Sequence, residues 1–125
     1  MSKVLYIEDN KDNLLLVQRA LISRGYELLW ASNGLDGISM AENEHPQLIL
    51  LDINLPDIDG YEVARRLRTH TRSDVRLIPI IAVTANALKG DAEKALAAGC
   101  NMYMSKPINI RELWAKVGEF LPVGQ

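Results

Sequence analysis

Short, almost unbroken apolar runs alternate with longer amphipathic stretches along this chain, and that alternation restricts its fold more than any other feature. The runs Val4–Ile7, Leu28–Ala31, Leu48–Leu51, Ile78–Val83 and Met102–Met104 read as five strands. Three of them are nearly continuous in apolar residues, as expected for parallel strands covered on both faces. Helical patterns lie between and after them. Leu14, Val17 and Leu21 share one face of the first helix, Leu88, Ala92, Ala95 and Leu96 one face of the fourth, and Leu113, Val117, Phe120 and Leu121 one face of the last. The second (about 34–44) and third (about 60–71) are less cleanly periodic. Strand–helix alternation repeated in this way predicts an α/β sandwich, because right-handed crossovers place helices on both faces of a parallel sheet.

Punctuation agrees with this division. Gly25 and Gly99 follow helical runs where a left-handed cap is wanted. Ser32-Asn33-Gly34 and Asp59-Gly60 mark turns into helices, and Asn109 with Glu112 offers a capping box for the last helix. A length of 125 residues suits one domain spanning 1–125. The net charge of −2 gives no general attraction to nucleic acid or to an anionic membrane. The single cysteine, Cys100, cannot form an internal disulfide, and the N-terminal apolar run is too short for a signal peptide. These features together predict a cytoplasmic domain without a membrane association.

Ligands of open α/β sheets bind beyond the carboxyl ends of the strands, so the residues standing there matter most. The first strand ends in Glu8-Asp9, the third in Asp52, the fourth in Thr84 and the fifth in Lys106. Any one of these alone is an ordinary turn former, cap or loop residue. Together they bring three carboxylates, a hydroxyl and an ammonium to one edge. Crowded carboxylates raise each other's pKa unless a cation lies between them. Mg²⁺ (or Mn²⁺) suits all-oxygen ligands and keeps coordination positions that phosphate oxygens can fill. A carboxylate nucleophile, a divalent cation, an ammonium and a hydroxyl form the constellation for phosphoryl transfer, which depends on positioning and charge neutralisation.

Four motifs in order now resemble the receiver domain of two-component response regulators over essentially the whole chain. They are Val4-Leu-Tyr-Ile-Glu-Asp-Asn10, Leu50-Leu-Asp-Ile-Asn-Leu-Pro-Asp-Ile-Asp-Gly60, Val83-Thr-Ala85 and Ser105-Lys-Pro107. The resemblance implies a flavodoxin-like (βα)5 three-layer sandwich with strand order 2-1-3-4-5. It implies phosphorylation of Asp52 by a histidine kinase or histidine phosphotransfer protein. Mg²⁺ would be held by Asp9, Asp52 and the Asn54 carbonyl, with Glu8 acting through a water. Thr84 and Lys106 would hold phosphoryl oxygens, small Ala85 would leave room for the phosphodonor, and the Lys106–Pro107 bond would be cis. Asn54 and Asn86 would border the attacking water and tune phosphoryl lifetime. Tyr103 would be the switch aromatic, turning beneath the fourth helix and reshaping the surface of the fourth helix, fifth strand and last helix (about 87–120).

Because the family's acceptor reaction is self-catalysed, the resemblance implies a signalling module and not an enzyme. The rival is a Mg²⁺-dependent phosphohydrolase using a phosphoaspartate. Such enzymes use Asp-x-Asp, whose second acid protonates the leaving group; Asn54 cannot do this. A stand-alone regulator is the simplest context, with Val83–Pro107 and its Lys89-Gly-Asp91 step closer to such receivers than to DNA-binding regulators. A receiver from a hybrid histidine kinase or a multidomain regulator is the alternative. The basic stretch Arg65, Arg66, Arg68, Arg72 and Arg76 reads as a solvated face, not a nucleic-acid patch, since no aromatic residues interleave it. His45 and His70 have no spaced ligand partners, Cys100 reads as a packed hydrophobe, and Trp30 and Trp114 as packing residues, with Trp114 able to contribute to the partner surface.

Overall fold

The computed structural model describes residues 2–86 and 90–123. Its elements run in the order β1 (Lys3–Ile7), α1 (Lys11–Ile22), β2 (Glu27–Ala31), α2 (Gly34–Glu44), β3 (Leu48–Asp52), α3 (Gly60–Arg68), α4 (Ser73–Arg76), β4 (Ile80–Thr84), α5 (Asp91–Ala97), β5 (Met102–Ser105) and α6 (Ile110–Phe120). The strands form one parallel sheet in the order β2-β1-β3-β4-β5. The doubly wound sandwich with order 2-1-3-4-5 is therefore present.

Alternation along the strands divides the core into two layers. Leu5, Ile7, Ile49, Leu51, Ile80 and Ala82 pack against Ala41 of α2, Val63, Ala64 and Leu67 of α3, and Ala95 of α5. Val4, Tyr6, Leu48, Leu50, Ile81 and Met104 face the other way, onto Val17 and Leu21 of α1 and Leu113 and Val117 of α6. Asn10, Asn33, Asp59 and Asn109 cap α1, α2, α3 and α6, each accepting the N–H three residues on. Gly25 and Gly99 take positive φ, +87° and +112°, where a side chain would be strained. No helix among the described residues is long and apolar enough to cross a membrane.

Two boundaries differ from expectation by two residues or more. α3 stops at Arg68, before 71, because the Thr69 hydroxyl bonds back to the Arg65 carbonyl at 2.9 Å and the chain then makes the separate turn α4. β4 begins at Ile80, not Ile78, because Arg68 Nη1 takes the Ile78 carbonyl at 2.7 Å and Pro79 has no N–H to donate. Leu88 and Lys89, assigned to the fourth helix and its opening, lie outside the described residues. Leu96, grouped with Ala92 and Ala95 on one apolar face, is instead 46% exposed.

Arg68 organises the amino-terminal side of the sheet. It donates to the Gly99 carbonyl at 2.8 Å, the Arg76 carbonyl at 2.9 Å, the Ile78 carbonyl at 2.7 Å and Asn101 Oδ1 at 2.7 Å. The basic stretch is thus not uniformly solvated: Arg65 and Arg66 pair with Glu62, Arg72 pairs with Asp74, and Arg76 donates to the His70 and Thr71 carbonyls.

Candidate functional site

The parallel register aligns Ile7 with Leu51, Asp52 with Val83, and Thr84 with Ser105, so the strand-end residues meet at one edge. Asp52 and Glu8 are buried there, at 1% and 0% exposure, while Asp9 is exposed. Lys106 Nζ lies 3.1 Å from Asp52 Oδ1 and 3.5 Å from Glu8 Oε1. The Asn54 N–H donates to Asp52 Oδ1 at 3.1 Å. One carboxylate oxygen from each of Glu8, Asp9 and Asp52 lies within 4.8 Å of the others. The Lys106–Pro107 bond is cis.

Two residues that sequence reasoning passed over support Glu8 from below. The Tyr6 hydroxyl donates to Glu8 Oε1 at 3.1 Å and Asn13 Nδ2 donates to the same oxygen at 2.8 Å. Glu8 Oε2 accepts the Asp9 N–H at 3.1 Å, and the Trp30 indole donates to the Glu8 carbonyl at 2.6 Å. A signal for Tyr6 existed: it lies two residues before Glu8 on a strand, hence on the same sheet face.

The electrostatics follow from burial and crowding. Burial, reinforced by neighbouring Glu8, pushes the Asp52 carboxyl up to about 7 against the opposing pull of Lys106. Burial also works to raise Glu8, but its hydrogen bonding with Asp52, Asn13 and Tyr6 and the Lys106 charge bring it below its ordinary value. Burial would lower Lys106, yet its two carboxylate partners hold it above the usual lysine range. One ammonium thus serves two buried carboxylates, with Asp9 beside them. That all-oxygen donor set, three carboxylates against one ammonium when all are ionised, fits a hard divalent cation.

Thr84 is fully buried. Its hydroxyl donates to Asp91 Oδ2 at 3.1 Å and accepts the Asn86 N–H at 3.1 Å. Asp91, at the start of α5, has no local sequence pattern that links it to Thr84, and it was missed. Ala85, Asn86 and Asn54 are exposed at the rim. Tyr103 is 39% exposed and lines a groove of about 450 Å³ with Leu96, Met102, Glu112, Lys116 and Glu119.

Trp114 does not contribute to that groove. Its indole donates to the Ala20 carbonyl at 2.8 Å and its ring lies 3.9 Å beneath the Arg24 guanidinium, binding α6 to α1. His70 meets Glu42 at 2.7 Å and His45 meets Asp74 at 3.4 Å, each a single acidic partner on the side of α2 and α4. Asp57, also unforeseen, accepts the Gly34 and Leu35 N–H groups at 2.8 Å each, tying the loop after Asp52 to the start of α2.

Comparison with known proteins agrees with this geometry. A family profile described as the response regulator receiver domain matches residues 4–118. The polar-differentiation response regulator DivK of Brucella ovis is 39% identical over 118 residues, 94% of each chain. The receiver domain of sensor histidine kinase PA1611 from Pseudomonas aeruginosa, solved with a magnesium ion coordinated in its active site cleft, superposes with a TM-score of 0.87 at 37% identity, covering 95% of this chain and 96% of that one. A response regulator from Chloroflexus aurantiacus superposes at 0.90 with 28% identity, covering 96% and 97%. Motif order, strand order and sequence similarity converge, and the chain belongs to the response regulator receiver domain family.

Proposed function

We propose that this chain is a phosphoacceptor signalling module in which Asp52 takes a phosphoryl group from a phosphohistidine on a histidine kinase or phosphotransfer protein. The observation that carries this reading is a buried aspartate at the sheet edge with an ammonium 3.1 Å away and two further acids at hand. An Asp52 oxygen bonds to phosphorus as the P–N bond of the donor breaks and the imidazole leaves with the electron pair. Asp9, Asp52 and the Asn54 carbonyl, with Glu8 through a water, would hold Mg²⁺, which neutralises charge on the carboxylate and phosphoryl oxygens.

The chain's own residues then do the rest. Lys106 passes from Asp52 to a phosphoryl oxygen, the Thr84 hydroxyl donates to another, and Ala85 leaves the approach open. Asn54 and Asn86 stand at the rim, where they govern access of the hydrolytic water. Thr84 moves, Tyr103 turns towards the space it leaves, and the groove between α5, β5 and α6 changes shape for a partner protein. Such a shift draws only on the difference in interaction between two packings.

Acetyl phosphate with Mg²⁺ should label the wild type stoichiometrically with an acid-stable, alkali-labile group and leave Asp52→Asn unlabelled. Undiminished labelling of Asp52→Asn would refute the acceptor assignment. Tyr103→Ala should still be labelled but should lose the phosphorylation-dependent gain in partner binding; an unchanged gain would remove Tyr103 from the switch.

A further inference from the structure

The Thr84 hydroxyl has one proton, which can be donated to only one acceptor at a time. Oγ1 lies 3.1 Å from both Asp91 Oδ2 and the Asn86 nitrogen. The amide can only donate, so Oγ1 accepts there; an ionised carboxylate can only accept, so the hydroxyl proton is directed at Asp91. Phosphoryl oxygens are acceptors too. Thr84 is fully buried, which limits replacement of either partner by bulk water. Engagement by Asp91 and engagement by a phosphoryl group on Asp52 are therefore mutually exclusive.

Resting on the phosphoacceptor reading above, we infer that Asp91 is a positioning residue that holds Thr84 in the unphosphorylated arrangement and sets how readily the site is phosphorylated. It touches none of the reacting atoms and acts only by competing for the Thr84 proton. A phosphoryl group carries more charge than a carboxylate and wins that competition; before transfer, Asp91 wins it. Because Asp91 opens α5, the exchange also releases the first turn of the helix beside the partner groove. The Tyr61 hydroxyl reaches the Asp91 main-chain oxygen at 3.5 Å, so α3 borders the same joint.

The test compares wild type, Asp91→Ala, Asp91→Asn and Glu93→Ala, the last removing an exposed acid from the same turn. Acetyl phosphate labelling with Mg²⁺ is timed, and the Thr84 methyl resonance is followed without phosphodonor. Loss of a charge-assisted hydrogen bond should speed Asp91→Ala labelling roughly tenfold and displace its methyl resonance towards the phosphorylated position. Asp91→Asn, whose Oδ1 can still accept the proton, should stay near wild type, as should Glu93→Ala. If Asp91→Ala folds poorly, Asp91→Ser, too short to span to Thr84, takes its place. Wild-type labelling rates and an unmoved resonance in Asp91→Ala would overturn the inference, as would equal acceleration in Asp91→Asn or Glu93→Ala. Failure of the wild type itself to be labelled would instead overturn the phosphoacceptor reading, and the latch with it.

Discussion

Replacing Asp52 by asparagine should stabilise the metal-free protein, and by an amount that depends on pH. In the folded chain Asp52 titrates at about 7, against an ordinary value of 3.8, because it is buried beside Glu8. A carboxyl whose pKa is raised on folding favours the native state while protonated, and that contribution is lost as pH rises through the folded value. Between pH 6 and pH 8 the wild type should lose about 1 kcal/mol from this group alone. The Glu8 shift is downward, so its effect falls below the ordinary glutamate range, outside this window. Asparagine has no proton to lose, and its Oδ1 can still accept from the Asn54 N–H and Lys106. Urea unfolding in EDTA, followed by far-UV circular dichroism, should show Asp52→Asn the more stable, with a gap that widens by about 1 kcal/mol from pH 6 to pH 8. Saturating Mg²⁺ should narrow the gap by stabilising the wild type. A gap that stays constant or shrinks with pH would refute the claim that two buried carboxylates compete for one ammonium.

Three further outcomes are expected. Gly60→Ala should lose about 2 kcal/mol or more in urea unfolding, because the added Cβ would lie 2.6 Å from the Asp52 carbonyl oxygen and 2.7 Å from Ile53 Cα, neither a flexible side chain. The Cys100 thiol, pushed up to about 11 by burial, should resist iodoacetamide at about pH 8 until the protein is unfolded, when the uptake of one label per chain marks exposure. Mg²⁺ titration should change tryptophan emission in the wild type and in Trp114→Phe but not in Trp30→Phe, since Trp30 alone of the two donates to the Glu8 carbonyl. A response that survives in Trp30→Phe would detach the indole from the metal site.

The layout of the sheet and the residues at its edge were legible because both are local signals. Continuous apolar runs such as Leu48–Leu51 mark buried parallel strands, and the polar residue that ends each run lands at the same edge once the strands are parallel. What escaped were partnerships between segments distant in sequence. Asp57 reads as a loop acid until α2 is placed against it, and Trp114 reads as a packing residue whose partners, the Ala20 carbonyl and Arg24, emerge only once α1 lies alongside. Arg68 looked like one arginine among five, yet its guanidinium is the one that enters the fold. The turn at Ser73–Arg76 was hidden within a polar stretch because so short a segment has no periodicity to detect.

The Arg68 fork has a mechanical consequence for α5. Its bond to the Gly99 carbonyl fastens the helix's trailing end to α3, while its bonds to Ile78 and Asn101 moor the roots of β4 and β5 to the same point. Asn101 Oδ1 also accepts the Ile80 N–H at 2.9 Å, closing the knot between the two strands. At the leading end, among the described residues, the side-chain tethers are the Thr84–Asp91 bond at 3.1 Å and the looser reach of the Tyr61 hydroxyl to the Asp91 main-chain oxygen at 3.5 Å. A helix riveted at one end and hooked at the other behaves as a lever with a fixed fulcrum. A movement of the Thr84 side chain would swing the tip of α5 through an arc while the Arg68 bond keeps its base in place.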